Sequence, residues 1–405
     1  MTDPIHLDHN ATTPVAPEVV QAMTEVLAGP WMNPSARYPR AGEVARLVRQ
    51  AREQVAALLG GHPDEVVFTS GGSEAIATAF HSVGPGGGAA SEDGSAAADS
   101  SPFTGLRRAV TSTVEHSAVK ACAERLAGSA PGGAWVQISV DAEGLLDRAA
   151  LEAALEEGPC LVSVQVVNNE TGVVQDLEGL GEAVRARGGR LHLDAVQAPG
   201  KLPLSVAELG ADFVTLAAHK FNGPKGVGCL WVAEGAPFTA LIPGGAQEGG
   251  RRAGTENVAG LVGMGVAASL AAARAADPAF LEAWSARRDA FERRLLAELP
   301  PGTRVNGAGA PRVPGTTSLT VPDLPAQEVL TYLDSLGVEA SAGSACSAHR
   351  VAPSPVLLAM GRSAEEASST LRLSQGHGTR AEDLDRAAAA LVEAVQTLRS
   401  LRGLA

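Results

Sequence analysis

The stretch Phe213-Val-Thr-Leu-Ala-Ala-His-Lys220 runs straight into Phe221-Asn-Gly-Pro-Lys-Gly-Val-Gly228. It is an apolar run too short for a helix, ending in a lysine and a glycine-rich turn. Continuous rather than alternating apolar character marks a strand covered on both faces. Working outward, similar short runs lie at 65–69, 108–111, 135–138, 161–167, 191–193 and 228–232. Segments of helical period separate them at 41–59, 117–126, 148–155 and 177–186. Strands alternating with helices predict an α/β domain built on a mostly parallel sheet. After Asn257 the pattern becomes α+β: helices over 258–276, 278–299 and 325–336, strands at 317–321, 338–340 and 370–373, and a last helix from 381. The reading is a large domain over 15–257 and a smaller one over 258–405, with residues 1–14 packing on the smaller. Residues 84–101 are Gly/Ala/Ser/Asp-rich without apolar period, and are expected to form a flexible, solvated insertion.

Composition narrows the function. With 405 residues, 45% hydrophobic and 19% charged, the chain can bury a large core. A net charge of −13 argues against a direct nucleic-acid partner, whose footprint would be basic. Cys122, Cys160, Cys229 and Cys346 form no CxxC pair, so neither a disulfide framework nor a zinc site is expected, and a reducing cytosol suits them. The start, MTDPIHLDHN, is polar and acidic, unlike a targeting peptide, so a cytoplasmic location is expected. The uncharged run 257–273 is too short and too weakly apolar for a membrane span, so it reads as a buried helix and no membrane partner is expected. Only four of the 32 basic residues are lysines (Lys120, Lys201, Lys220 and Lys225).

Lys220 stands just past the C-terminal end of a buried strand, where α/β sheets bind ligands. An amine partly desolvated there loses its proton readily and can form a Schiff base. Asp194, in Leu191-His-Leu-Asp-Ala-Val-Gln197, ends a strand that should neighbour it. A carboxylate at the base of a pocket can keep a pyridine nitrogen protonated, the ion pair that makes pyridoxal phosphate an electron sink, with Gln197 in reach of the ring's phenolic oxygen. Gly72 and Ser73, in Thr69-Ser-Gly-Gly-Ser-Glu74, open a helix whose free N–H groups suit a phosphate. His116, after the strand at 108–111, could stack on a ring and shuttle protons. Asn169 ends another strand. Arg372 interrupts an apolar strand and needs an anionic partner, for which a substrate carboxylate would serve. Cys346 sits in Ser341-Ala-Gly-Ser-Ala-Cys-Ser-Ala348, a small-residue loop suited to an accessible nucleophile. Each has a plainer reading when taken alone: a surface lysine, an N-cap aspartate, a structural histidine, a turn asparagine, a salt-bridged arginine.

Their order and spacing together resemble the cysteine desulfurases, pyridoxal-phosphate enzymes of aminotransferase fold type I, class V. The likeness spans nearly the whole chain, including Asp8-His-Asn-Ala-Thr-Thr-Pro14, Asn33-Pro-Ser35 and the run from Gly244 to Thr255. The long stretch after Cys346 is similar to the housekeeping-like branch. The resemblance implies the following roles. Lys220 holds pyridoxal 5'-phosphate and serves as base; His116 stacks and moves protons; Asp194 pairs with the ring nitrogen. Gln197 and Asn169 meet the phenolic oxygen, and Gly72, Ser73 and His219 cradle the phosphate. Thr255 reaches in from the partner subunit of a homodimer. Arg372 and Asn169 bind L-cysteine, and Cys346 takes its sulfur as a persulfide for a sulfur-acceptor protein, leaving L-alanine. Three features depart from the pattern: Ala217 where a hydroxyl is usual, Ala246 and Gly249 in the glycine-rich run, and the insertion. Selenocysteine lyase, a class V aminotransferase or epimerase, and a scaffold without turnover are the rival readings.

Overall fold

The computed structural model describes residues 4–85, 105–343 and 352–404. Nearly all of the expected insertion over 84–101, and Cys346, lie outside the described residues. Seven strands form one sheet, ordered Val66–Thr69, Gly228–Val232, Phe213–Ala217, Arg190–Asp194, Leu161–Gln165, Arg108–Ser112, Ala134–Ile138. The last five run parallel. Gly228–Val232 opposes both its neighbours, because only about ten residues separate it from Ala217 and a parallel crossover needs a dozen or more. The expected mostly parallel α/β sheet is therefore present, with one strand reversed.

Side-chain alternation along the strands feeds two layers of core. Val67, Phe213 and Leu230 face helices Gly72–Val83 and Ser117–Gly128, whereas Val66, Val214 and Leu216 join the core that holds Pro39–Leu59 and Val258–Ala275. This is why the strands read as continuous apolar runs.

A second core encloses a four-stranded antiparallel sheet, ordered Ser341–Ala342, Thr370–Ser374, Thr316–Thr320, Arg304–Val305, and helices Pro278–Glu298, Ala326–Ser335 and Ala381–Leu401. Ile5 and Leu7 are buried in it, and Ile5–His6 pairs in parallel with Val338–Glu339. Helix Val258–Ala275, at which the sequence reading begins the smaller domain, instead buries Leu261, Met264, Ala267 and Ala271 in the first core. Its glycines explain the fit. A Cβ on Gly265 would lie 2.7 Å from the Ala51 Cα, so this helix approaches Pro39–Leu59 closer than a larger residue permits. The composition changes at 257, but the packing unit continues to 275.

Candidate active site

The C-terminal ends of the central strands build the floor of a cleft of about 400 Å³. The register sets Gln165 beside Asp194, and Asp194 beside Thr215. Asn10, Gly343 and Arg372 close the opposite side. The chain reaches across through its N-terminal segment: the Asp8 backbone bridges to Ser374, and the Thr13 N–H donates to the His219 carbonyl at 2.9 Å.

Lys220 ends a short 3₁₀ turn, Ala218–Lys220. Its Nζ donates to the carbonyls of Asn10 (2.6 Å) and Ala11 (2.9 Å). Asp194 is buried, with Oδ1 accepting from the Val196 N–H at 3.0 Å. Burial raises its pKa, while His116 and Lys220 pull the other way. His116 caps helix Ser117–Gly128, and its Nδ1 accepts from the Ala118 N–H at 3.1 Å. Burial lowers its pKa, with Asp194 opposing. With Nδ1 an acceptor, the neutral ring carries its proton on Nε2. His219 is held at about 4 by burial and by Lys220 and Lys225, and its Nδ1 meets the Thr12 hydroxyl at 3.2 Å.

At the cleft's other end, helix Gly72–Val83 starts behind Gly71 without a side-chain cap. Its first N–H groups and positive dipole end are open to an anion, beside Ser73 and the methyl of Ala217. Arg372 is 2% exposed. Its Nη2 donates to Asp8 Oδ1 at 2.8 Å and Nη1 to the Asn169 carbonyl at 3.3 Å. Its Nε has no partner among the described residues. The salt-bridge reading of Arg372 and the cleft-lining one thus hold together: Asp8 orients the guanidinium, and two of its five N–H groups are accounted for by Asp8 and Asn169.

Lys220, Asp194, His116, Gln197, Asn169, Gly72, Ser73, His219 and Arg372 all line this one cleft. Thr255 does not. It is exposed, in a hollow behind Thr69 and Ser70, on a loop tied down by buried Glu248. That carboxylate takes two bonds from Arg52 (2.8 and 2.6 Å) and one from the Phe68 N–H (2.9 Å). Among the described cysteines, Cys160 and Cys229 are buried and Cys122 half-buried, and burial raises all three thiol pKa values, Cys160 to about 11.

Several contributors are missed by the sequence reading: Asp8, Asn10, Lys201 and Glu115. Glu115 adjoins His116 in sequence and is fully enclosed. Its Oε1 accepts from the Ser112 hydroxyl (2.5 Å) and the Gln165 N–H (3.1 Å). Burial lifts its pKa to about 8, with Asp194 adding to the rise. Held neutral, it leaves Asp194 without a repelling charge. Folded protein therefore keeps a proton that the unfolded chain loses above about pH 4.3, so this group's contribution to stability falls as pH rises toward about 8. Glu115→Gln is expected to gain on wild type in melting temperature across that interval; a gap that stays constant with pH contradicts it.

A model of the class-V aminotransferases matches residues 5–387. A curated cysteine desulfurase of Cereibacter sphaeroides is 40% identical over 398 residues, 98% of this chain and 97% of the relative. Among solved structures, the NifS-like protein of Rickettsia africae superposes with TM-score 0.82 at 28% identity, covering 97% of this chain and 99% of that one. One titled SspA in complex with cysteine gives 0.74 at 29%, covering 91% and 98%. The chain belongs to the class-V aminotransferase family and, within it, to the cysteine desulfurases. Its fold is aminotransferase fold type I.

Proposed function

We propose that this protein is a cysteine desulfurase that holds pyridoxal 5'-phosphate at Lys220 and passes the sulfur of L-cysteine to Cys346. The carrying observation is the convergence of a lysine amine, a buried carboxylate, a neutral imidazole and an uncapped helix N-terminus on one cleft. That donor set fits the cofactor: Lys220 for its aldehyde, Asp194 for its ring nitrogen, and Gly72, Ser73 and His219 for its phosphate. His116 suits the ring face, and Gln197 and Asn169 the phenolic oxygen. The chemistry supplied by this group when bound is an electron sink for charge left on the substrate's α-carbon.

The chain's own residues do the rest. Arg372 binds the substrate carboxylate through the donors that Asp8 leaves free. Lys220 Nζ takes the α-proton, and His116 Nε2 moves protons on the face it covers. The Cys346 thiolate attacks the substrate sulfur: the S–S bond forms as the C–S bond breaks, carbon regains a proton, and L-alanine leaves a persulfide behind. Curated cysteine desulfurases at this identity, and the cysteine complex of a structural neighbour, support that substrate. A persulfide on Cys346 suits delivery to an acceptor protein in a reducing cytoplasm. Exposed Thr255 suits a homodimer in which each subunit completes the other's phosphate site.

Cofactor-loaded protein given L-cysteine and a reductant should yield alanine and sulfide in equal amounts. Absence of alanine overturns the reading, and turnover confined to selenocysteine moves it to a lyase. Ala217 places a methyl in the phosphate region of the cleft. Ala217→Ser is expected to tighten cofactor retention about five-fold, the worth of one added hydrogen bond of ~1 kcal/mol. Titration of the apoprotein measures this, and unchanged affinity counts against the assignment.

A further inference from the structure

Two of the chain's four lysines meet on a single residue. Lys220 Nζ donates to the Asn10 main-chain carbonyl, and Lys201 Nζ donates to the Asn10 side-chain Oδ1 at 3.1 Å. Lys201 also donates to Gln197 Oε1 at 2.8 Å. It is buried, and among the described residues no carboxylate lies within ion-pair distance of it. Burial, with Lys220 and Arg372 adding, brings its pKa down to about 7. A buried amine so unfavourably placed, where an apolar side chain would pack at less cost, needs a reason.

The reason is in the two amides. Asn and Gln each present an oxygen on one side and an NH2 on the other, and either orientation is sterically open. A lysine nitrogen at this spot offers donors, so both oxygens turn toward it. Gln197 Nε2 is then aimed at the Asn10 carbonyl (3.0 Å). Asn10 Nδ2 is aimed at the Asn169 carbonyl and the Thr316 hydroxyl, both at 3.1 Å. We propose that Lys201 is a positioning residue: it sets the Gln197 and Asn10 amides so that Gln197 presents its NH2 to the cleft, where the cofactor's phenolic oxygen would accept from it. Amine and ammonium forms both donate, so this role survives loss of the charge. It rests on the cofactor assignment above and adds to it a residue that lies behind the cleft lining.

The test compares wild type, Lys201→Met, Lys201→Gln, Gln197→Leu and the Lys201→Met/Gln197→Leu double variant, each loaded with pyridoxal 5'-phosphate. The readouts are the position of the cofactor's long-wavelength absorption band, its dissociation rate and the melting temperature. Lys201→Met should shift the band and speed dissociation about ten-fold, as loss of a hydrogen bond to a charged group does. The double variant should be no worse than the worse single, because both changes remove one contact. Lys201→Gln keeps an NH2 without the charge and should recover most of the loss. A Lys201→Met protein with lowered melting temperature but unmoved band and dissociation rate has lost only packing, and overturns the inference. Multiplying effects in the double variant also overturn it. Wild type that takes up no cofactor defeats the cofactor assignment itself, and this inference with it.

Discussion

Lys220→Arg will reduce alanine formation from L-cysteine by about 10³-fold or more, the scale on which loss of both a covalent anchor and a proton-transfer group is felt. Arginine keeps the charge, and its donors can still serve the Asn10 and Ala11 carbonyls, so the fold should survive. It cannot give up its proton at working pH and cannot join an aldehyde. The turn Ala218–Lys220 is buried at Ala218 and held by the Ala218 N–H to the Val227 carbonyl and the Gly223 N–H to the Ala218 carbonyl, which fixes where residue 220 points. The measurement pairs alanine release with the visible spectrum of the reconstituted protein. Near-wild-type turnover in the variant would remove Lys220 from the chemistry. Retained melting temperature with lost turnover is the expected pair of results.

The parts of this site that are legible in the sequence share a physical cause. Parallel strands buried on both faces leave continuous apolar runs, so a polar residue at the end of such a run stands out. Asp194 and Lys220 are found that way, and Arg372 stands out by interrupting one. The parts that are not legible depend on contacts between distant segments. Asn10 touches Gln197, Lys201 and Lys220 across some 190 to 210 positions, and nothing local in Asp8-His-Asn-Ala records that. Asp8 as the partner of Arg372 is hidden for the same reason, as its side chain comes from the opposite end of the chain. Helix Val258–Ala275 is readable as buried, but which core buries it is decided by close approaches such as Gly265 to Ala51, which composition does not encode. Glu115 shows a third kind of concealment. A glutamate beside a histidine looks like solvent-exposed polarity, and only the closed surroundings of Ser112 and Gln165 make it a neutral acid.

Cys346→Ala will bring sulfur transfer to the protein to an end while leaving the cofactor cleft intact. Each of the other thiols is disqualified by its surroundings. Cys229 and Cys160 are enclosed among strand residues, Cys122 lies on helix Ser117–Gly128, and burial pushes every one of them away from the thiolate form. A thiolate is the nucleophile in attack on sulfur, so none of the three can stand in. One described end of the segment carrying Cys346 lines the cleft, and the other is tied close to Asn169 in sequence. Gly343 lines the cleft, and the Ser354 hydroxyl donates to Glu170 Oε2 at 2.5 Å, one residue beyond Asn169. A Cβ on Gly343 would come within hard contact of the same Glu170 oxygen, so Gly343 and Ser354, on either side of Cys346 in sequence, lie beside one carboxyl group. The variant should bind cofactor as wild type does, since Lys220, Asp194, Gly72, Ser73 and His219, the residues proposed to hold it, are all unchanged. Its alanine formation should fall by about 10²-fold or more, because the C–S bond then has no thiolate to accept sulfur. Mass spectrometry of wild type after L-cysteine should find the added sulfur on the peptide containing Cys346. Added sulfur on the Cys122 peptide, or undiminished alanine from Cys346→Ala, would remove that residue from the reaction and leave the cleft's chemistry to be reassigned to a class-V activity that needs no thiol.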